Sequence, residues 1–208
     1  VDQLGFSLCL ITDRRAALRP AVDVVEECLG AGLRAVQLRE KDLPVRELLT
    51  LAAELREATR RHGARLLVND RADVAMAAGA DGVQRTHASL PVSALRAITP
   101  GGFLIGASTH SVAAAEQAVA QGADFVIFGP VYDTPSKRPF GPPQGLGALE
   151  TVARAVARPV LAVGGLTPAR VPEVLAAGAA GAAVIGAIYA AARPADATKA
   201  FLDALGSA

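Results

Sequence analysis

The chain has no tryptophan, one methionine, two cysteines and three histidines in 208 residues. Cys9 and Cys28 sit in apolar surroundings without metal-ligand spacing, so they read as buried free thiols in a reducing compartment, not as a disulfide framework. Three scattered histidines and two isolated cysteines argue against a zinc site. Net charge is also lacking: at +1, general binding to nucleic acid or to a membrane surface is not expected. No uninterrupted apolar run approaches the roughly 20 residues of a membrane span. The opening VDQLGFSLCLITDRR has no basic segment before its apolar run, so no signal peptide is expected and a cytoplasmic location is. What is abundant is small and apolar. Hydrophobic residues make up 51% of the chain, enough for a sizeable core of closely packed, alanine-rich helices.

Short apolar runs alternate with helical patterns from end to end. Strands are expected over 6–12, 34–39, 65–70, 82–86, 103–109, 125–131, 159–165 and 181–188. Helices are expected over 20–32, 44–63, 72–80, 89–98, 111–122, 146–157, 167–178 and 194–205. The junctions AGLRAV, AGADGV, QGADFV and AGAAGA repeat one texture, with glycine ready for the left-handed cap that ends a helix. Eight strand–helix units with near-continuous apolar strands predict an α/β fold, a single (β/α)₈ TIM barrel forming one domain over 1–208. An open doubly wound sheet is the alternative. It would more often carry a glycine-rich phosphate loop after its first strand, and TDRRAALRP (12–20) contains no glycine.

In a barrel, chemistry collects where strands end. The expected ends carry Thr12 and Asp13; Gln37, Arg39 and Lys41; Asn69 and Asp70; Gln84, Arg85, Thr86 and His87; and Ser108, Thr109 and His110. The later ends carry Thr134, Pro135, Ser136 and Lys137, then Gly164 and Gly165, then Ile185 and Gly186. The stretch GPVYDTPSKRPFGPPQGL (129–146) is long for a barrel connection, and its hydroxyls beside a lysine suit an anion. The plainer reading is a solvated, proline-stiffened loop. Gly-Gly after strand seven and Ile-Gly-Ala after strand eight leave backbone N–H groups bare for a phosphate, or else permit tight strand–helix packing. Arg39 and Lys41 would point the same way if the strand continues through both, making a second anionic pocket with Lys137; otherwise residues 39–42 are a solvated charge run. Asp70 could ligate magnesium. His110 is a candidate acid–base group or a structural donor.

The motifs VQLREKD (36–42), LLVNDRADVAMAAGADGV (66–83), IGASTHS (105–111), GPVYDTPSK (129–137), PVLAVGG (159–165) and AAVIGAI (182–188) resemble, in order, the thiamin phosphate synthase/TenI superfamily. The resemblance implies a barrel, commonly oligomeric, that acts on small phosphorylated substrates. It implies a synthase joining hydroxymethylpyrimidine diphosphate to a thiazole phosphate with release of pyrophosphate. Gln37, Arg39, Lys41, Asn69, Ser108 and Lys137 would hold the pyrimidine diphosphate, and Asp70 would ligate Mg²⁺. Thr134, Pro135, Ser136, Gly165, Ile185 and Gly186 would hold the thiazole phosphate. GVQRTHAS (82–89) departs from the family's GVHLGQED pattern: Ser89 stands where synthases carry a second magnesium aspartate, and Gln84 where histidine is usual. That stretch resembles the TenI branch, whose thiazole tautomerases shift a proton without a metal and would use His110 as acid–base. A non-catalytic regulator binding thiazole or thiamin phosphate is a further alternative.

Overall fold

Each expected strand is a run of five to eight residues, mostly apolar on both faces, and such a run must be covered on both sides. In the computed structural model, which describes residues 4–16, 19–134 and 142–206, these runs form β1 (Leu8–Ile11), β2 (Ala35–Leu38), β3 (Arg65–Asn69), β4 (Gly82–Arg85), β5 (Leu104–Thr109), β6 (Phe125–Phe128), β7 (Val160–Val163) and β8 (Gly181–Val184). They pair in sequence order, all parallel, and β8 closes on β1 with Leu10 opposite Val184. That pairing makes the sheet a barrel and excludes the open-sheet alternative. The helices are α1 (Ala21–Gly30), α2 (Val45–Arg61), α3 (Ala72–Ala77), α4 (Val92–Ile98), α5 (Val112–Ala120), α6 (Gly145–Ala155), α7 (Val171–Ala176), α8 (Gly186–Tyr189) and α9 (Pro194–Ala204).

Strand alternation sorts the core into two clusters. Outward residues such as Leu10, Val36, Val68, Ile105 and Val184 pack under the helices. Inward residues Cys9, Ile11, Ala35, Leu67, Phe125, Ile127, Leu161 and Ala183 fill the barrel with Leu4 and Phe6. Phe6 precedes β1 and meets Phe125 edge to face, ring centres 5.8 Å apart. Such a pair adds about 1 kcal/mol beyond its burial. It plugs the end at which the strands begin, leaving the other end for polar groups. Cys9 and Cys28 are buried free thiols, and burial raises the Cys28 pKa to about 11. No helix among the described residues is long and apolar enough to cross a membrane.

Three expectations are corrected. β2 stops at Leu38, so strand geometry does not run through Arg39 and Lys41. The run expected as a strand over 181–188 ends at Val184 and turns at Ile185 (φ −117°, ψ −97°) into the one-turn α8. α4 begins at Val92 rather than residue 89, which leaves Ser89 in the preceding turn.

Candidate active site

Gln37, Asn69, Gln84 and Ser108 occupy inward positions near the C-terminal ends of β2, β3, β4 and β5. In a mouth this narrow their amides must find partners. Gln37 Nε2 donates to Asn69 Oδ1 at 3.0 Å, and Gln84 Nε2 donates to Ser108 Oγ at 2.9 Å. Gly106 makes the room: a Cβ there would lie 2.1 Å from Gln84 Oε1 and 2.3 Å from Phe125 Cζ. Thr109 does not join this wall, because it shares the outward side of β5 with Ile105 and Ala107. Arg85 lies outward with Val83, its Nε 3.4 Å from the Leu90 carbonyl.

Asp70 follows β3 with φ +60°, a left-handed conformation that aspartate tolerates better than most residues. Its Oδ1 accepts from the Thr86 backbone N–H at 3.1 Å, from the Thr86 hydroxyl at 2.7 Å and from the Ser89 hydroxyl. Its Oδ2 accepts from Asn69 Nδ2 at 2.7 Å. Partial burial alone would raise the carboxyl pKa. The donors from Ser89, Thr86 and Asn69 outweigh it, and the net direction is down. Asp70 is therefore an anion at neutral pH, held by neutral donors.

Among the described residues no group of three or more histidine, cysteine, aspartate or glutamate side chains could hold a metal ion. Asp70 fits magnesium as one ligand: Oδ1 is saturated, but Oδ2 has a single donor and keeps a lone pair. Magnesium accepts such a site when phosphate oxygens and water complete its shell. Ser89 turns its hydroxyl to Asp70 and supplies no charge.

The 39–42 run is not a uniformly solvated charge run. Glu40 is buried, its side chain 2% exposed, and accepts from the Arg14 backbone N–H at 3.0 Å. Asp42 takes both Arg14 guanidinium nitrogens at 2.7 Å and Arg15 at 2.6 Å. Arg14 hydrogen bonding holds the Asp42 carboxyl well below the usual range. Both acids of the run are thus committed to arginines of the β1–α1 loop. Arg39 and Lys41 have no carboxylate within ion-pair distance among the described residues. The Arg39 backbone N–H donates to Thr12 Oγ1 at 2.9 Å, tying the turn to the end of β1.

The remaining arc is built of backbone. Gly164 and Gly165 have φ +99° and +64°. A Cβ on Gly165 would lie 2.7 Å from the Asp133 carbonyl oxygen, so the glycine also serves tight packing, the alternative expected for it. Arg170 Nη1 donates to the Gly165 carbonyl at 2.6 Å, and its guanidinium lies 4.4 Å from the Tyr132 ring centre. The Tyr132 hydroxyl donates to Glu173 at 2.6 Å; desolvation and then Glu173 push its pKa up to about 12. Gly186 differs: a Cβ there would meet nothing within 4 Å and its φ is ordinary, so neither packing nor backbone strain demands glycine. Thr134 lies at the edge of the described loop, and Pro135, Ser136 and Lys137 lie outside the described residues. His110 Nδ1 faces the Gly129 carbonyl, which can only accept, so that nitrogen carries the proton and in the neutral ring Nε2 is the acceptor.

The rim thus gathers Gln37, Arg39, Lys41, Asn69, Asp70, Ser108, His110, Gly164, Gly165, Ile185 and Gly186 at one end of the barrel. Arg14, Tyr132 and Arg170 were not read as site-supporting residues from the sequence, whereas Thr86 was among the expected ends of the fourth strand. The adjacent basic pair after β1 was the available signal for Arg14; nothing local marks Arg170.

The sequence model described as thiamine monophosphate synthase matches residues 8–188. The chain belongs to the thiamine monophosphate synthase family. Within that family, a thiamine-phosphate synthase of Methanoculleus marisnigri is 48% identical over 186 residues, 89% of this chain and 88% of the relative. One of Roseiflexus castenholzii is 45% identical over 195 residues, 93% of this chain and 86% of the relative. The solved thiamine phosphate pyrophosphorylase of Pyrococcus furiosus superposes with a TM-score of 0.91 at 36% identity, covering 99% of this chain and 98% of that one.

Proposed function

We propose that this protein is a thiamine-phosphate synthase that joins hydroxymethylpyrimidine diphosphate to thiazole phosphate and releases pyrophosphate. The observation that carries the reading is the division of charge in residues 39–42: Glu40 and Asp42 are neutralised by Arg14 and Arg15, while Arg39 and Lys41 have no carboxylate within ion-pair distance among the described residues. Two such cations suit a leaving diphosphate, whose charge grows as the bond breaks. An enzyme meeting only a monophosphate has no evident need of them.

The thiazole nitrogen lone pair forms the new C–N bond to the pyrimidine methylene, and the C–O electron pair leaves with pyrophosphate. Arg39, Lys41 and, from the sequence, Lys137 stabilise that departing charge. Gln37, Asn69 and Ser108 hold the pyrimidine. Gly164, Gly165, Ile185 and Gly186 hold the thiazole phosphate through their backbone N–H groups, and the sequence resemblance adds Thr134, Pro135 and Ser136 to the groups that would contact it. Asp70 would ligate magnesium together with diphosphate oxygens, and a bound ion would neutralise part of the diphosphate charge. Everything else asked of the barrel is positioning.

One observation favours a second reading, the thiazole tautomerase. His110 turns its Nδ1 to the Gly129 carbonyl, so in the neutral ring Nε2 is left as a proton acceptor toward solvent-accessible space at the rim. Turnover of the two synthase substrates with and without magnesium, run beside tautomerisation of the thiazole carboxylate phosphate, separates the two. The synthase reading expects the first reaction and its strong loss in Arg39→Ala. Absence of the first, with a second reaction abolished by His110→Ala, overturns it.

A further inference from the structure

Two glycines in a row give the chain after β7 unusual backbone freedom. The peptide plane between them could turn over, and its N–H would then face the wrong way. The surroundings remove that freedom. The Gly164 carbonyl accepts from the Tyr132 backbone N–H at 3.1 Å, and the Gly165 carbonyl accepts from Arg170 Nη1 at 2.6 Å. Both planes that meet at Gly165 are therefore pinned by their oxygens. In a trans peptide the N–H points opposite to the C=O. The Gly164 oxygen is turned toward the connection that follows β6. The Gly165 N–H is thus turned the other way, to the side of β7 on which β8 lies and after which Gly186 follows. Gly165 is partly exposed, and among the described residues its N–H has no backbone acceptor.

Arg170 is itself held in place. Its guanidinium lies 4.4 Å from the Tyr132 ring centre. Glu173 stands three residues further on, near enough in a helical turn to compete for the same charge. The Tyr132 hydroxyl donates to Glu173 at 2.6 Å, so one tyrosine stacks on the arginine and engages its rival.

We propose that Arg170 is a positioning residue for the phosphate of the thiazole substrate. It acts by fixing the peptide after Gly165, not by contact with the phosphate, and Tyr132 keeps it on that carbonyl. This deepens the synthase reading and rests on it for the identity of the phosphate ester.

The test is calorimetric titration of the whole chain with thiazole phosphate and with the corresponding thiazole alcohol, the pyrimidine diphosphate being omitted. Arg170→Ala should weaken the phosphate about tenfold, as for loss of one charge-assisted hydrogen bond, and leave the alcohol unchanged. Arg170→Lys keeps a donor for the Gly165 carbonyl and should restore most of the lost affinity. Tyr132→Phe leaves Glu173 to draw the guanidinium away and should weaken the phosphate about twofold, and adding Glu173→Gln should restore it. In NMR spectra of wild type the Gly165 amide proton should move downfield as thiazole phosphate is added, and in Arg170→Ala that movement should shrink. A residue that merely supported the fold would weaken ester and alcohol alike, so equal losses overturn the proposal. An unmoved Gly165 amide in wild type overturns it as well. If Arg170→Ala does not fold, the Tyr132→Phe variant decides, and a loss that Glu173→Gln fails to restore overturns the proposal. Turnover of both substrates with wild-type phosphate affinity in Arg170→Ala would remove the clamp and leave the synthase. The expected loss of phosphate affinity in a protein without turnover would remove the synthase and leave the clamp.

Discussion

The two arcs of the barrel mouth are built from opposite materials. From β2 to β5 the inward positions carry amides and a hydroxyl, and the loops beyond carry Arg39, Lys41 and Asp70. From β6 to β8 the inward positions among the described residues are Ile127, Val163 and Ile185, and the strand ends that follow are Gly164–Gly165 and Gly186, whose backbone N–H groups carry no side chain. Under the synthase reading each arc suits its own anion. A diphosphate that departs gathers charge as it moves, and long flexible cations can follow it. A phosphate that stays in place needs rigid donors, and bare amides supply them without side-chain ordering.

Four changes would break or sharpen that contrast. The largest effect is expected for Arg39→Ala: kcat/KM should fall by about 10²–10³, as for loss of one group stabilising developing charge. Pyrophosphate-release kinetics would show it, and a loss confined to KM for the thiazole phosphate would contradict the division of arcs. Next is Gly165→Ala. It forces a Cβ against the Asp133 carbonyl in a left-handed conformation, and should cost about 2 kcal/mol in urea unfolding. Gly186→Ala should leave unfolding unchanged, since its Cβ enters open space, yet raise KM for thiazole phosphate by roughly tenfold, equivalent to about 1.4 kcal/mol. Unchanged KM there would remove Gly186 from the cradle.

The smallest effect concerns acid. The carboxyl groups of Asp42 and Asp70 have folded pKa values below their unfolded ones. Their contributions to stability are complete above the ordinary carboxylate range and are lost as pH falls through the depressed folded values. The melting temperature should stay level from neutrality to about pH 5 and decline below about pH 4. Asp42→Asn should make that decline shallower, and an unchanged acid limb would show that the Arg14 contact does not stabilise the loop.

The barrel itself was legible because each unit announces itself locally. Apolar runs of strand length, amphipathic α2 and the glycine at most helix–strand junctions all pointed to one fold. The boundaries that failed did so for local reasons as well. Val184–Ile185–Gly186–Ala187–Ile188 is as β-like in composition as any strand, yet the ladder has no register left beyond Val184 and the chain turns into α8. Arg39 and Lys41 were recognised as cations, but their availability depends on Arg14, which lies 25 positions before Arg39. Ser89 stood out as a missing carboxylate, while its hydrogen bond to Asp70 could be seen only once the β4–α4 turn was in place.

The order of polar and apolar residues along the chain determined that eight strands form, which side of each faces inward, and that one end of the barrel is polar. Those properties follow from periodicity and turn chemistry, which act over a few residues. Which charges cancel, which side-chain amides pair across strands, and which glycine faces open space were decided only when distant segments met. Hydrogen bonds and ion pairs act over a few ångströms in space, and distance along the chain does not report that separation.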